Sequence, residues 1–176
     1  MLKVKQIIGL FALTVSAGLF IGCGASSSKP VASVPSPEGA AYRLATEPAG
    51  AKGVKDARKS AKDGEEVTLV GRIGGDVNPW VEGQAAFLVV DSQLKPCNEK
   101  GDDGCATPWD YCCDTDELPS SKAMVKVVDA TGKSVGTDAR KLLGLKELQT
   151  VVVRGRAKRD EAGNLTVLAD GVFVRN

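Results

Sequence analysis

From Glu65 onward the chain repeats one pattern: short apolar runs of strand length, divided by turn residues, with one helical interlude late in the order. Glu65–Gly74 (EEVTLVGRIG) alternates, placing Val67, Leu69 and Ile73 on one face, and Gly71 in its interior predicts a bulge or a sharp bend. Ala85–Val90 (AAFLVV) is apolar on both faces, as a central strand is. Ala123–Val128 (AMVKVV) is a third strand that stops at a D-A-T-G turn. Thr150–Lys158 turns Val151, Val153 and Ala157 inward and Arg154, Arg156 and Lys158 outward. The turn D-E-A-G-N then leads into a fifth strand, Leu165–Val174. Before the fourth strand, Thr137 or Asp138 can cap a helix over Ala139–Leu148; Leu142, Leu145 and Leu148 share its face and Gly144 weakens it. Upstream of the first strand, Val54, Ala57 and Ala61 predict a short amphipathic helix within Ala51–Asp63, with Gly64 as its stop.

Three strands, a helix and two more strands, with the first strand bent at a glycine, is the order of an OB-fold barrel. The expected class is therefore all-β, a five-stranded OB-like barrel with minor helix in the order β-β-β-α-β-β. A barrel this small needs few aromatic residues, which suits a chain with 5% of them. The alternative is a small SH3-like or sandwich β-domain.

The first residues carry a different message. Lys3 and Lys5 precede an apolar run from Ile7 to Ile21, too short for a membrane span of about 20 apolar residues. The run ends Leu19-Phe20-Ile21-Gly22-Cys23, which resembles a bacterial lipobox apart from Phe20, where Leu is usual. Residues 1–22 are expected to be a lipoprotein signal peptide, cleaved after Gly22, with Cys23 acylated by palmitate-type chains. Gly24 rather than Asp after the cysteine points to the outer membrane, facing the periplasm. Residues 23–49, rich in Ser, Pro and Ala, are expected to form a flexible tether, and 50–176 the folded domain. Loss of Lys3 and Lys5 takes the net charge from +1 to about −1, so no global field selects nucleic acid.

Between the second and third strands, Ser92 to Lys122 shows no period of either kind. Unstructured loops of this length in small domains are usually functional or cross-linked. It contains CNEKGDDGCATPWDYCCDTDE, with Cys97, Cys105, Cys112 and Cys113, and seven carboxylates (Glu99, Asp102, Asp103, Asp110, Asp114, Asp116, Glu117) against Lys100. In an oxidising compartment four cysteines form two disulfides. Adjacent cysteines rarely bond to each other, which leaves Cys97–Cys112 with Cys105–Cys113, or Cys97–Cys113 with Cys105–Cys112. The same thiols could instead hold zinc or Cu(I), although the paired C-x2-C spacing of common zinc modules is missing. A redox-active pair is a third reading, without a C-x-x-C motif to support it. The carboxylates read as a solvated acidic loop; calcium would use them too, but DDG does not match its usual loop. Pro96, Pro108 and Pro119 limit the loop's freedom. Trp109 and Tyr111 are either an exposed contact, with Asp110 between them, or the loop's own small core.

The runs DGEEVTLVGRIGG, KPCNEK, TPWDYCC, GLKEL and GNLTVLADG resemble an uncharacterised planctomycete family of exported OB-fold lipoproteins. TPWDYCC is the most specific of them. The resemblance covers residues 50–176 and implies the fold and an exported address, but no activity.

The chain contains no histidine. That removes Ser-His and Cys-His nucleophile pairs and the common histidine metal sites. With no catalytic constellation in view, we expect a binding module rather than an enzyme, with no cofactor, engaging a protein, peptide or small molecule. A metal-handling or redox role for the four cysteines is the alternative. A nucleic-acid-binding OB domain is a second one, through a stripe of Arg72, Arg154, Arg156 and Lys158. It is disfavoured because strands two and three offer only Phe87 for base stacking and the neighbouring loop is acidic.

Overall fold

The computed structural model describes residues 34–101 and 104–175. The expected signal segment, Cys23 and the start of the tether lie outside the described residues, as do Asp102 and Asp103. In chain order the elements are β1 (Lys52–Gly53), α1 (Val54–Ser60), β2 (Glu66–Ile73), β3 (Trp80–Val81), β4 (Ala86–Val90), α2 (Leu118–Ser121), β5 (Lys122–Val127), α3 (Ala139–Leu143), β6 (Thr150–Arg159) and β7 (Leu165–Val174). Single 3-10 turns occupy Gly39–Ala41, Cys97–Glu99, Pro108–Asp110 and Cys112–Asp114. Among the described residues no helix is long and apolar enough to cross a membrane.

Five strands close on themselves. β2 pairs with β6, β6 with β7, β7 with β5, β5 with β4, and β4 returns to β2 through Arg72↔Val90 and Ile73↔Val89. Of the five pairings in this ring, only β5 with β7 is parallel. This is the OB arrangement expected from the strand order. Closure leaves the barrel strands few open edges, the arrangement that protects small β-proteins from edge-to-edge association. Val67, Leu69, Ile73, Val151 and Val153 face inward as expected, and Phe87, Val125 and Val167 join them in one core; Phe87 is wholly buried, with Trp80 5.9 Å away between ring centroids, so it is not open for base stacking. Burying each such side chain contributes roughly 1.5–3 kcal/mol.

Gly71 makes no bulge, since the β2–β6 register runs unbroken through Gly71↔Val151. Its role is a close approach. On its other edge β2 changes partner here from β1 to β4, and a Cβ at Gly71 would stand 3.0 Å from Val89 Cβ and 3.1 Å from Val54 Cγ2. The register shift lies instead between Arg154 and Gly155, opposite Asp170 of β7. A Cβ at Gly155 would lie 2.1 Å from the Leu168 carbonyl oxygen, so the shift depends on glycine.

α3 starts where expected, with the Asp138 carboxylate accepting from Arg140 N–H at 2.9 Å. It ends at Leu143, not Leu148, because Gly144 turns left-handed (φ 66°) and caps it. Leu142, Leu143 and Leu145 are buried in the barrel core, while Leu148 lies beyond the helix and is only half-buried. The expected tether needs a larger correction. Tyr42 and Leu44 exchange backbone hydrogen bonds with Val172, Ser36 N–H donates to Leu142 carbonyl, and Glu47 pairs with Arg175. Gly39 is pressed so close to the Leu142 carbonyl that no Cβ fits. Residues 36–47 therefore belong to the domain, held by backbone pairing that their composition does not reveal.

A candidate metal centre in the cysteine loop

The loop between β4 and β5 is pinned at its root. Asp91 N–H donates to Ser121 carbonyl at 2.8 Å, and the buried Asp91 carboxylate accepts from Lys55 N–H (2.8 Å) and Gln93 N–H (2.9 Å). It therefore caps α1, whose own N-cap, Gly53, has no side chain to do so. Farther out, Arg72 pairs with Glu99 at 2.7 Å, Lys55 with Glu117 at 2.8 Å and Lys100 with Asp114 at 2.5 Å. The loop also lies against the turn after β2: Gly75 N–H donates to the Trp109 carbonyl (2.7 Å) and the Trp109 indole N–H to the Val77 carbonyl (3.1 Å).

Tyr111 organises the tip. It sits between two 3-10 turns in the left-handed region (φ 59°, ψ 33°), uncommon for an aromatic residue. That conformation drives its ring into a small core with Val90, Leu94 and Leu118. The ring is completely buried, and its hydroxyl has no hydrogen-bond partner among the described residues. Burial pushes its pKa up to about 12, although Arg72 lies near enough to pull the other way. Of the two expected roles, Tyr111 thus takes the internal one, and Trp109, half-buried and hydrogen-bonded to Val77, acts as a clasp.

Because Tyr111 reverses the chain, Asp110 and Cys112 converge on Cys97. Asp110 Oδ1 accepts from Cys112 N–H at 2.9 Å, an Asx turn, and Oδ2 accepts from the Thr107 hydroxyl at 2.8 Å. Cys97 Sγ stands 3.7 Å from Cys112 Sγ and 4.0 Å from Asp110 Oδ1. One donor atom from each of Cys97, Cys105, Asp110 and Cys112 lies within 4.8 Å of all the others. Cys97 forms the buried floor, Cys105 and Asp110 are half-buried, and Cys112 is at the exposed mouth.

The structure thus brings together three of the four cysteines and replaces the fourth, Cys113, which is exposed, with Asp110. In the structure none of these four cysteines stands at disulfide-bonding distance from another. The Cys97–Cys112 separation exceeds an S–S bond of about 2.05 Å. It agrees instead with the S···S edge of a tetrahedral site, about 3.8 Å for metal–sulfur bonds of about 2.3 Å. Electrostatics follow the same geometry. Burial opposes ionisation of Asp110, but the Cys112 amide, Thr107 and the Cys112 thiol outweigh it and hold the carboxyl below its ordinary value. Hydrogen bonding to Cys97 and then to Asp110 pushes the Cys112 thiol upward, so a bound cation would have to displace its proton. Lys100, raised first by Asp114, is the nearby compensating cation.

The basic stripe is broken up. Arg72 joins Glu99 at the loop, Arg154 pairs with Asp170 at 2.7 Å and Arg156 lies 3.7 Å from Glu66, leaving Lys158 exposed on β6. Sequence reasoning singled out Asp110 among the loop carboxylates and contact residues but did not group it with the cysteines, and it missed Thr107 and Asp91 as supports. The Asp-x-Cys spacing of an Asx turn was the available signal for Asp110. Compared with known proteins, the chain matches no protein-family model and no curated protein.

Proposed function

We propose that this domain binds a thiophilic divalent cation, with zinc the best match, through Cys97, Cys105, Asp110 and Cys112. The observation that carries the reading is the convergence of four donors on one point, at a sulfur spacing suited to tetrahedral coordination. Three thiolates and one carboxylate suit zinc better than calcium or magnesium, which prefer all-oxygen sites. Asp110 is oriented by Thr107 and the Cys112 amide, as outer-shell partners orient metal ligands. The role is binding, not catalysis. The N-terminal pattern ending in Gly22-Cys23, and the resemblance to exported planctomycete OB-fold lipoproteins, support presentation of this site from a lipid anchor, on the outer membrane and in the periplasm. Changing Cys23 to Ser should then release the protein from the membrane fraction.

Metal analysis of the purified full chain, with thiol counting, tests the site. One zinc per chain is expected. Replacement by Co2+ should give the intense visible bands of a tetrahedral thiolate site. Cys97→Ser and Asp110→Ala should abolish or shift those bands, and Cys113→Ser should leave them unchanged. Protein that takes up no stoichiometric metal and carries two disulfides would overturn the reading.

A further inference from the structure

We infer that the same loop is a redox-controlled metal switch, in which Cys97 and Cys112 either hold the cation together or close into a disulfide that expels it. The inference rests on the metal-binding reading and adds its regulation. Cys97 and Cys112 stand 3.7 Å apart, so a shift of about 1.7 Å brings them to bonding distance. They also differ in access. Cys112 is exposed, while Cys97 is wholly buried behind it. An oxidant therefore meets Cys112 first, and Cys97 is in place to resolve the product. Cys113 is exposed too, but as the immediate neighbour of Cys112 it could join it only through a strained ring.

The oxidant class is a hydroperoxide. In the loaded chain, where the cation has displaced its proton, the Cys112 thiolate attacks one peroxide oxygen, the O–O bond breaks, and Cys112 becomes a sulfenic acid while the departing oxygen takes a proton. The Cys97 thiolate then attacks the Cys112 sulfur, the S–O bond breaks, and hydroxide leaves with a second proton as water. Two thiolates, hydrogen peroxide and two protons give one disulfide and two waters. The sulfur pair loses two electrons and the peroxide gains them. Only Cys105 and Asp110 then remain as donors, too few for a tetrahedral site, and the cation departs hydrated. The loop need not unfold for this. Its root bond from Asp91 to Ser121 and the small core around Tyr111 involve neither sulfur.

The test uses the full chain loaded with zinc. Zinc content is measured first. Hydrogen peroxide is then added, release is followed with a chromophoric chelator, and the protein is digested without reduction for mass spectrometry. We expect stoichiometric zinc release, loss of two thiols, a Cys97–Cys112 cross-linked peptide, and recovery of zinc binding after dithiothreitol. Cys113→Ser should behave identically. Zinc release with Cys112 over-oxidised and no cross-link, or a cross-link through Cys113, would overturn the switch. If the chain takes up no zinc, the metal reading fails first and the switch with it, whereas loading followed by the wrong cross-link removes the switch alone.

Discussion

Asp91 is a buried carboxylate that joins the cysteine loop to α1, and removing it should cost much of the domain's stability. It is 2% exposed and accepts two backbone N–H groups, from Lys55 and Gln93. Hydrogen bonds to charged groups contribute roughly 1.5–3 kcal/mol each. Asp91→Ala removes both acceptors and uncaps α1, so we expect a loss of about 3 kcal/mol, the low end of the sum because the first turn of α1 can relax toward water. With a urea m-value of about 1.5 kcal/mol/M, the unfolding midpoint should fall by about 2 M. Asp91→Asn keeps one acceptor oxygen and should lose about half as much. Amide exchange adds a local readout, since Lys55 and Gln93 should lose protection first. Gly53 provides a control, because a Cβ there would lie 2.8 Å from Asp91 Oδ2. Gly53→Ala should therefore destabilise the wild type and have little effect in the Asp91→Ala background. A midpoint shift below about 0.5 M, or unchanged exchange at Lys55 and Gln93, would refute the argument.

Asp138→Ala should cost about 1 kcal/mol, the usual value of an N-cap, measured by urea unfolding at neutral pH. Arg140 holds the Asp138 carboxyl below its ordinary 3.8, so the cap's contribution is present above that value and lost as pH falls through the lower folded one; the difference between variant and wild type should shrink in acid. Gly155→Ala forces a Cβ to 2.1 Å from the Leu168 carbonyl and should destabilise by about 3 kcal/mol, lowering the melting temperature by roughly 10 °C. Single-stranded DNA or RNA should bind no tighter than about 10 μM at physiological salt, because Arg154 pairs with Asp170 and Arg156 lies beside Glu66. Tight, salt-sensitive binding abolished by Arg154→Ala with Arg156→Ala would show that the stripe is a nucleic-acid site.

The barrel was legible because its strands are long enough to show a period. β7 spans the same residues its pattern marked, and β6 differs by one, since buried and exposed residues alternate from Val153 to Lys158. β1 and β3 were not legible: two residues carry no period, and backbone pairing alone defines them. The docking of residues 36–47 was hidden for the same reason, since Tyr42 and Leu44 attach through main-chain hydrogen bonds. The cysteines were visible as a set, but which three would meet was not. That selection depends on Tyr111 taking a left-handed conformation, and sequence rules reserve such positions for glycine or asparagine. Its reward is burial against Val90, Leu94 and Leu118, a tertiary effect that no local pattern contains.

β7, the last strand in sequence, fills the gap between β6 and β5. The ring cannot close until Leu165–Val174 has left the ribosome, and Glu66 must wait for Arg156. Assembly governed by such distant partners is slow, and the unfinished sheet keeps open edges meanwhile. Cys97, Cys105, Cys112 and Cys113 are all synthesised before β7, so the loop that holds them exists before the strand that completes the ring beneath it.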